Sequence, residues 1–412
     1  MQNDLAPAAA VVAVAPVVAA VVAPVEPVAP PAPSPLRVLV GGDLIPHRPS
    51  LATAEAIGGA LAPLAPLFGE ADGVIANYEA ATGDLEKKAF RLAYAAPPSW
   101  LGALPGVGIR AVSVANNHAC DLSYEGVEAT LAASAGAGLV TLGGDMKGDP
   151  WAPRVVAEGG GKKVCAIAWT TLVNAEGGCA RSVRLAVAPE SAAGRARFVT
   201  ALTQARAACD ATIAIVHGGA EYKPQTPSVL ALARRAADAG ADAVVLHHPH
   251  VASPVLVHHA RDGRDVPIFA SVGNLVSNQG ESWKPSMFPV LRENRRLVCV
   301  NGWTRLGVIA DLTFDLSGAA PRLDWGFHLT WTENSHADDR KSVPTIATRL
   351  VDPAADAAIL EQLAQDDEGP VALFSDPCWR ERGGEPAPRC GTSLARSNPD
   401  LTARARRTIR RR

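Results

Sequence analysis

Three observations predict an α/β fold for this 412-residue chain. Apolar runs of strand type alternate with helical stretches inside residues 37–335, several of the runs end in polar residues of ligand type, and runs of antiparallel type follow residue 274. In open α/β sheets ligands collect in the crevice outside the carboxyl ends of the strands, so these polar endings mark the functional edge.

The chain opens on something of a different kind. Residues 6–35 are almost wholly Ala, Val and Pro, and the recurring prolines exclude a regular helix. Residues 1–36 therefore read as a tether of extended, polyproline-like character. Met1-Gln-Asn-Asp4 has no basic residue, unlike the start of a secretory signal. Pro7, Pro16 and Pro24 disfavour an uninterrupted membrane span, although Ala8–Ala23 looks like a degraded signal-like segment. Two readings stay open: a leader removed or lying upstream, or a cytoplasmic chain with an unusual tail.

The folded elements follow in order. Arg37-Val-Leu-Val-Gly-Gly-Asp43 is an apolar strand that delivers a carboxylate onto a glycine turn. Val74–Glu79 delivers Asn77 and Glu79, two residues apart and on one face if the strand continues. Ala111–His118 ends in Asn116, Asn117 and His118, with Asp121 just beyond. Helical patterns cover Tyr124–Ala135, Ala192–Ala208 and Ser228–Ala239, with Gly138 and Gly240 at stopping positions. Val164–Trp169 and Thr212–His217 are strands, and the latter leads into Gly218, Gly219, Glu221 and Tyr222. Ala241-Asp-Ala-Val-Val-Leu-His-His-Pro-His250 ends in three imidazoles; Pro249 biases His248 toward extended geometry, making His248 and His250 a rigid pair. Arg305–Leu316 and Arg322–Glu333 read as a hairpin around Ser317-Gly318 that completes the second sheet.

Taken singly, each polar ending has a bland reading: a strand-ending Asp caps a helix, an Asn pair makes a turn, a lone His satisfies a carbonyl. Five such endings together point to a metal site, because neutral imidazole and carboxylate oxygen are the ligands that zinc, manganese and iron accept.

These residues also carry a resemblance. Gly42-Asp43, Asn77-Tyr78-Glu79, Ala115-Asn-Asn-His118 with Asp121 and Gly126, His217-Gly-Gly-Ala-Glu-Tyr222, Ala239-Gly-Ala-Asp242 leading to His248-Pro-His250, and Ser271-Val-Gly-Asn274 stand in one order. The set, from about residue 37 to 278, resembles the CapA-type capsule and poly-γ-glutamate biosynthesis proteins, whose domain is similar to calcineurin-like metallophosphoesterases. The resemblance implies a two-sheet α/β/β/α sandwich of the metallo-dependent phosphatase type over residues 37–335, followed by a C-terminal extension, 336–412, with a basic tail. It implies up to two divalent ions (Mn, Zn or Fe) held by Asp43, Glu79, Asn117, His217, His248 and His250, with Glu79 or Asp43 bridging. His118 and Asp121 take catalytic roles; Asn116, Glu221, Tyr222 and Asn274 are candidate substrate contacts. Four departures stand out. Asp43 is followed by Leu44-Ile45 rather than the Asp-x-His of phosphoesterases, Leu246 replaces a common glycine, and Gly218 replaces a common tryptophan that would wall the pocket. Ser123 also replaces a common glycine.

The function that this implies is a di-metal hydrolase of capsule or poly-γ-glutamate biosynthesis. Its substrate would be an anionic polymer, or a small phosphorylated or γ-glutamyl compound, and capsule-synthesis membrane proteins are possible partners. The alternative is a non-catalytic metal-binding component of the same assembly. The family tilts localisation to the cell envelope, exported or periplasmic, over the cytoplasm. A net charge of -2 gives no reason to expect nucleic acid. Among seven cysteines, Cys120 and Cys165 read as small core residues, while Cys378 and Cys390 could bridge in an oxidising compartment. The Arg-rich end, 402–412, reads as a solvated tail or as a foot on an anionic polymer or lipid.

Overall fold

A computed structural model describes residues 34–84, 93–174, 179, 183–284, 298–339, 342–352, 354–357 and 359. The strands are β1 (Leu36–Leu44), β2 (Gly73–Tyr78), β3 (Ala81–Thr82), β4 (Ala95–Ala96), β5 (Ala111–Ser113), β6 (Val140–Leu142), β7 (Arg154–Gly159) and β8 (Lys162–Thr170). They continue with β9 (Ala211–His217), β10 (Ala243–His247), β11 (Ala252–His259), β12 (Asp265–Val272), β13 (Asn274–Val276), β14 (Leu306–Asp315), β15 (Arg322–Asn334) and β16 (Ile346–Leu350). The α-helices are α1 (Ala54–Leu61), α2 (Ala65–Gly69), α3 (Pro98–Ala103), α4 (Ser123–Gly136), α5 (Ala192–Ala208) and α6 (Pro227–Asp238).

One sheet has the order β16-β15-β14-β1-β2-β5-β6, with β13 also beside β1; the other runs β11-β12-β10-β9-β8-β7. Strand alternation explains why they stack. In β1, Val38 and Val40 point into a core shared with Ile213, Ile215 and Val245 of the other sheet, whereas Leu39 packs with Ile57, Leu61 and Trp100 under α1 and α3. In β9, Ala214 and Val216 face outward onto Phe198 and Leu202 of α5 and Val229 and Ala233 of α6. Strands apolar on both faces need cover on both, and each fully buried Val, Leu or Ile contributes roughly 1.5–3 kcal/mol over exposure. The product is an α/β/β/α sandwich, the architecture that the sequence predicts.

The helix ends have local causes. The side chains of Ser191 and Thr226 accept from the amides of Gly194 and Val229 to start α5 and α6, and Pro227 occupies the first turn. Gly240, at φ 121, carries the chain out of α6 toward β10 in a conformation that side chains avoid.

Several expectations are revised. The boundary at residue 335 is corrected, because β16 pairs with β15 from Asn334↔Ile346 to Thr330↔Leu350 and the sheet runs across it. The β14–β15 hairpin joins the sheet of β1 through antiparallel β1–β14 pairing, so it completes the sheet that delivers Asp43. Helices α1 to α3 and the β11–β12 hairpin were not expected, although Thr53 caps α1 and Asp262-Gly263 lies at the turn of the hairpin. Cys120 and Cys165 are not free core residues: they bridge to Cys179 and Cys209, with Cα–Cα separations of 5.9 and 6.1 Å. Their burial looks the same in sequence, since a cystine is as apolar as a thiol. Cys378, Cys390, the tether before residue 34 and the Arg-rich end lie outside the described residues.

Candidate metal centre

Parallel pairing brings the polar strand ends to one edge. Asp43 lies beside Asn77 in the β1–β2 register and beside Asn274 in the β1–β13 register, while His217 lies beside His247 in β9–β10. The approach of β13 depends on Gly42, since a Cβ there would collide with the Gly273 carbonyl oxygen. The Asp43 amide donates to that oxygen at 3.0 Å.

Among the described residues two groups of ligand-type atoms result, each with its atoms within 4.8 Å of one another: Glu79, His217 and His248, and Asp43, Glu79 and His250. Glu79 belongs to both. Its Oε1 lies 3.7 Å from His217 Nε2 and 3.6 Å from His250 Nε2. Asn117 Oδ1 is 2.8 Å from His217 Nε2, and His248 Nδ1 is 3.2 Å from the same atom. All six residues expected as ligands are thus brought together and buried. Asn77 braces them, donating to Asp43 Oδ1 at 2.8 Å.

The atoms left without partners test whether cations fit. Both Glu79 carboxylate oxygens, Asp43 Oδ2 and the Asn117 amide nitrogen are buried with no hydrogen-bond partner. His250 Nδ1 stands 3.2 Å from Asp43 Oδ2 without hydrogen-bond geometry. An orphaned buried carboxylate costs several kcal/mol, roughly, unless a positive charge faces it. Burial, followed by the fields of Asp43, Glu221 and Asp121, pushes Glu79 well above the usual carboxylate range. For Asp43 burial acts in the same direction, but His250 first and then His247 outweigh it and hold the group well below that range. Burial, then His248, pushes His217 down strongly, and burial, then His250, takes His248 to about 3. Both rings are therefore neutral, with lone pairs available to a metal, and the His217–Glu79 approach is not a charged pair. Mixed carboxylate, amide and imidazole donors suit divalent ions of borderline softness.

The backbone here is strained. His248 and His250 have φ of 98 and 58, and Tyr222 has φ of 58. The extended geometry expected for His248 is thus corrected: the chain turns through the left-handed region on both sides of Pro249 to aim the two rings inward. Non-glycine residues held there cost on the order of 1–3 kcal/mol each and cluster at functional sites.

Beside the metal groups, His118 Nδ1 lies 2.6 Å from Asp121 Oδ2, which also accepts from the Tyr94 amide at 2.6 Å. The Tyr94 ring packs on His118 at 4.3 Å between centroids, and Asn174 Nδ2 lies 3.3 Å from His118 Nε2. Burial raises Asp121 above its ordinary value against the opposing pull of His118.

The four expected substrate contacts divide. The Asn116 amide donates to Tyr78 O and Asn77 Oδ1 while its oxygen accepts from the His118 amide. Asn274 donates to Gln279 Oε1 and Thr304 O, both at 2.9 Å, leaving Oδ1 for His250 Nδ1 at 3.0 Å. Both side chains are buried; Asn274 braces the ligand His250, while Asn116 braces Asn77 and the turn of His118. Glu221 is exposed and Tyr222 half-buried, with the Tyr222 ring 5.8 Å from that of His250. The pocket wall expected to be missing at Gly218 is also revised: Thr171 already fills the space in which a side chain would begin. Sequence reasoning passed over Tyr94, Asn174 and Gln279, which sit in loops without periodicity; only Gln279 had a signal, five residues after Asn274.

The model of the family described as bacterial capsule synthesis protein PGA_cap matches residues 37–279. The PGA biosynthesis protein CapA of Bacillus subtilis (strain 168) is 30% identical over 179 residues, 43% of this chain and 45% of that protein. The chain thus aligns with slightly less than half of that relative's length. Among solved structures, a hypothetical protein from Thermus thermophilus aligns with 71% of this chain and 99% of its own at 19% identity and a TM-score of 0.41.

Proposed function

The chain belongs to the bacterial capsule synthesis protein PGA_cap family, and from that premise we propose that it is a di-metal hydrolase of capsule or poly-γ-glutamate biosynthesis. The observation that carries the reading is Glu79, buried, without a donor on either oxygen, and common to both ligand groups. Asp43 and His250 would hold one ion, His217, His248 and Asn117 the other, and Glu79 both. Divalent ions so held would activate water and stabilise negative charge developing on a phosphoryl or carbonyl oxygen.

The remaining roles fall to side chains. His118 is fixed through Nδ1 by Asp121; once protonated it would give its Nε2 proton to the leaving oxygen or nitrogen, whereas the contact of Nε2 with Asn174 belongs to the neutral ring. Asp121 would balance the charge of the imidazolium that does so. Half-buried Tyr222, whose ring lies beside that of His250, and exposed Glu221 next to it in sequence are the proposed substrate contacts. The substrate is a phosphoester or an amide of a γ-linked glutamate polymer, and capsule-synthesis membrane proteins are the proposed partners.

Two disulfides support an exported location, since such bonds persist in oxidising compartments. Among the described residues no helix is long and apolar enough to cross a membrane.

A panel of phosphomonoesters, phosphodiesters and poly-γ-glutamate, offered to protein loaded with Mn or Zn, tests the reading. Turnover of one class, lost in His118→Asn at full metal content, supports it. No turnover of any class, with polymer production in cells unaffected by His118→Asn, replaces it with a non-catalytic metal-binding component.

A further inference from the structure

The cross-link between Cys120 and Cys179 lies at the site, not merely in the core. Cys120 is on the short turn that carries Asn116, Asn117, His118 and Asp121, closed by Asp121 N→His118 O at 3.1 Å and Ser123 N→Cys120 O at 2.9 Å. Cys179 belongs to the segment that leaves β8 after Thr170 and returns to it where Val187 bridges Thr170. On its outward path this segment is tied to the site twice: Thr171 N donates to His217 O at 2.9 Å, and Asn174 N donates to Asn117 O at 2.8 Å. Asn174 then directs its side-chain amide at His118 Nε2, 3.3 Å away.

The polarity of that contact follows from its neighbours. Asp121 Oδ2 accepts the Tyr94 amide and faces His118 Nδ1 at 2.6 Å, so Nδ1 carries the proton and Nε2 of the neutral ring is the acceptor. Only the Asn174 nitrogen can then donate to it. The ring is thus gripped at both nitrogens and covered on a face by Tyr94. One of these grips comes from Asn174, five residues before Cys179, which is bonded covalently to the histidine's own turn.

We propose that Asn174 is a positioning residue for His118 and that the Cys120–Cys179 disulfide is the tie that keeps it there. This rests on the catalytic role proposed for His118, but the geometry can be tested without any substrate. Reduction by a dithiol transfers two electrons and two protons to the cystine, giving two thiols while the reagent closes into its own disulfide. The segment would then lose its covalent hold on the turn, and activity would depend on the oxidised state.

The test uses the full chain, zinc-loaded and labelled with 15N in histidine, with His118→Gln to assign its resonances. In Asn174→Ala the His118 Nε2 resonance is expected to move toward that of an unbonded acceptor nitrogen, with zinc content and Tm unchanged. The same movement is expected in Cys120→Ala/Cys179→Ala and on reduction, but not in Cys165→Ala/Cys209→Ala. If the cysteine pair variant fails to fold, reduction of Cys165→Ala/Cys209→Ala supplies the same comparison. On any substrate that is turned over, Asn174→Ala is expected to lower kcat roughly 10–100-fold with little change in KM, and Asn174→Gln to restore part of it. An Nε2 resonance that stays in place in Asn174→Ala overturns the positioning role; one that moves in Asn174→Ala but stays after loss of the Cys120–Cys179 bond overturns the tie. Absence of turnover on every substrate counts against the hydrolase reading and leaves the resonance test standing.

Discussion

Glu79 Oε1 and His250 Nε2 face each other across 3.6 Å in a buried space, and nothing donates to either Glu79 oxygen. That separation exceeds a hydrogen bond and suits two ligands of one cation. Protein without metal should therefore suffer from Glu79, not gain from it. Glu79→Gln is expected to leave Tm unchanged or raise it in chelated protein, because a neutral amide replaces an unpaired acid. It is expected to abolish the rise in Tm that Mn or Zn produces in the parent chain. Differential scanning calorimetry with and without metal reads both effects.

His118 and His248 occupy neighbouring loops with different proposed work. His248→Ala is expected to lower metal content, with turnover falling alongside. His118→Asn is expected to keep metal and Tm while kcat falls by roughly two to four orders of magnitude and KM moves little. Elemental analysis beside steady-state kinetics separates the two, and loss of metal from His118→Asn would show the division of roles to be wrong.

The strand ends account for what was legible. The runs ending at Asp43, Glu79, His217 and His250 could be read because a parallel sheet covered on both faces writes its strands as unbroken apolar runs and its crevice as the residues that follow. The helices α4, α5 and α6 were legible as helical stretches, with Gly138 and Gly240 closing α4 and α6. What escaped has no period. Tyr94 and Asn174 reach His118 from loops far apart in sequence. The partners of Cys120 and Cys165 are chosen by tertiary approach, and spacing alone leaves many pairings open. Positive φ at His248 runs against local preference, and tertiary packing imposes it.

Acid should weaken the fold through Asp311. Burial opposes its ionisation, yet hydrogen bonds from His328 and from both Arg37 nitrogens, at 2.9, 3.1 and 3.0 Å, hold its pKa well below the usual range. A depressed folded pKa contributes stability that is present above the unfolded value of about 3.9 and is lost as pH falls from there through the folded value. Asp311→Asn is expected to destabilise at neutral pH by about 2–4 kcal/mol, leaving Arg37 without its buried partner. As pH falls below about 4 the difference between the parent and the variant should begin to shrink. Urea melts at pH 7 and pH 3 check the sign; an equal difference at both would exclude Asp311 as the source.

The second disulfide is a plain staple. Cys165 in β8 and Cys209 at the end of α5 are 44 residues apart. Closing that loop contributes about 4 kcal/mol in the chain-entropy treatment. Cys165→Ala/Cys209→Ala is expected to lower Tm while leaving metal affinity unchanged. Non-reducing peptide mapping of protein from its native compartment should recover the bridged peptides, and free thiols at both positions would remove this support for export.

Metal stoichiometry tests the central claim most directly. Protein purified without chelator, or stripped and titrated with Mn or Zn, is measured by elemental analysis and calorimetric titration in the parent chain and in Glu79→Gln. Two ions per parent chain, with binding at both sites weakened together by the one substitution, is the result expected of a shared Glu79. No transition metal at purification and no uptake on titration would contradict it.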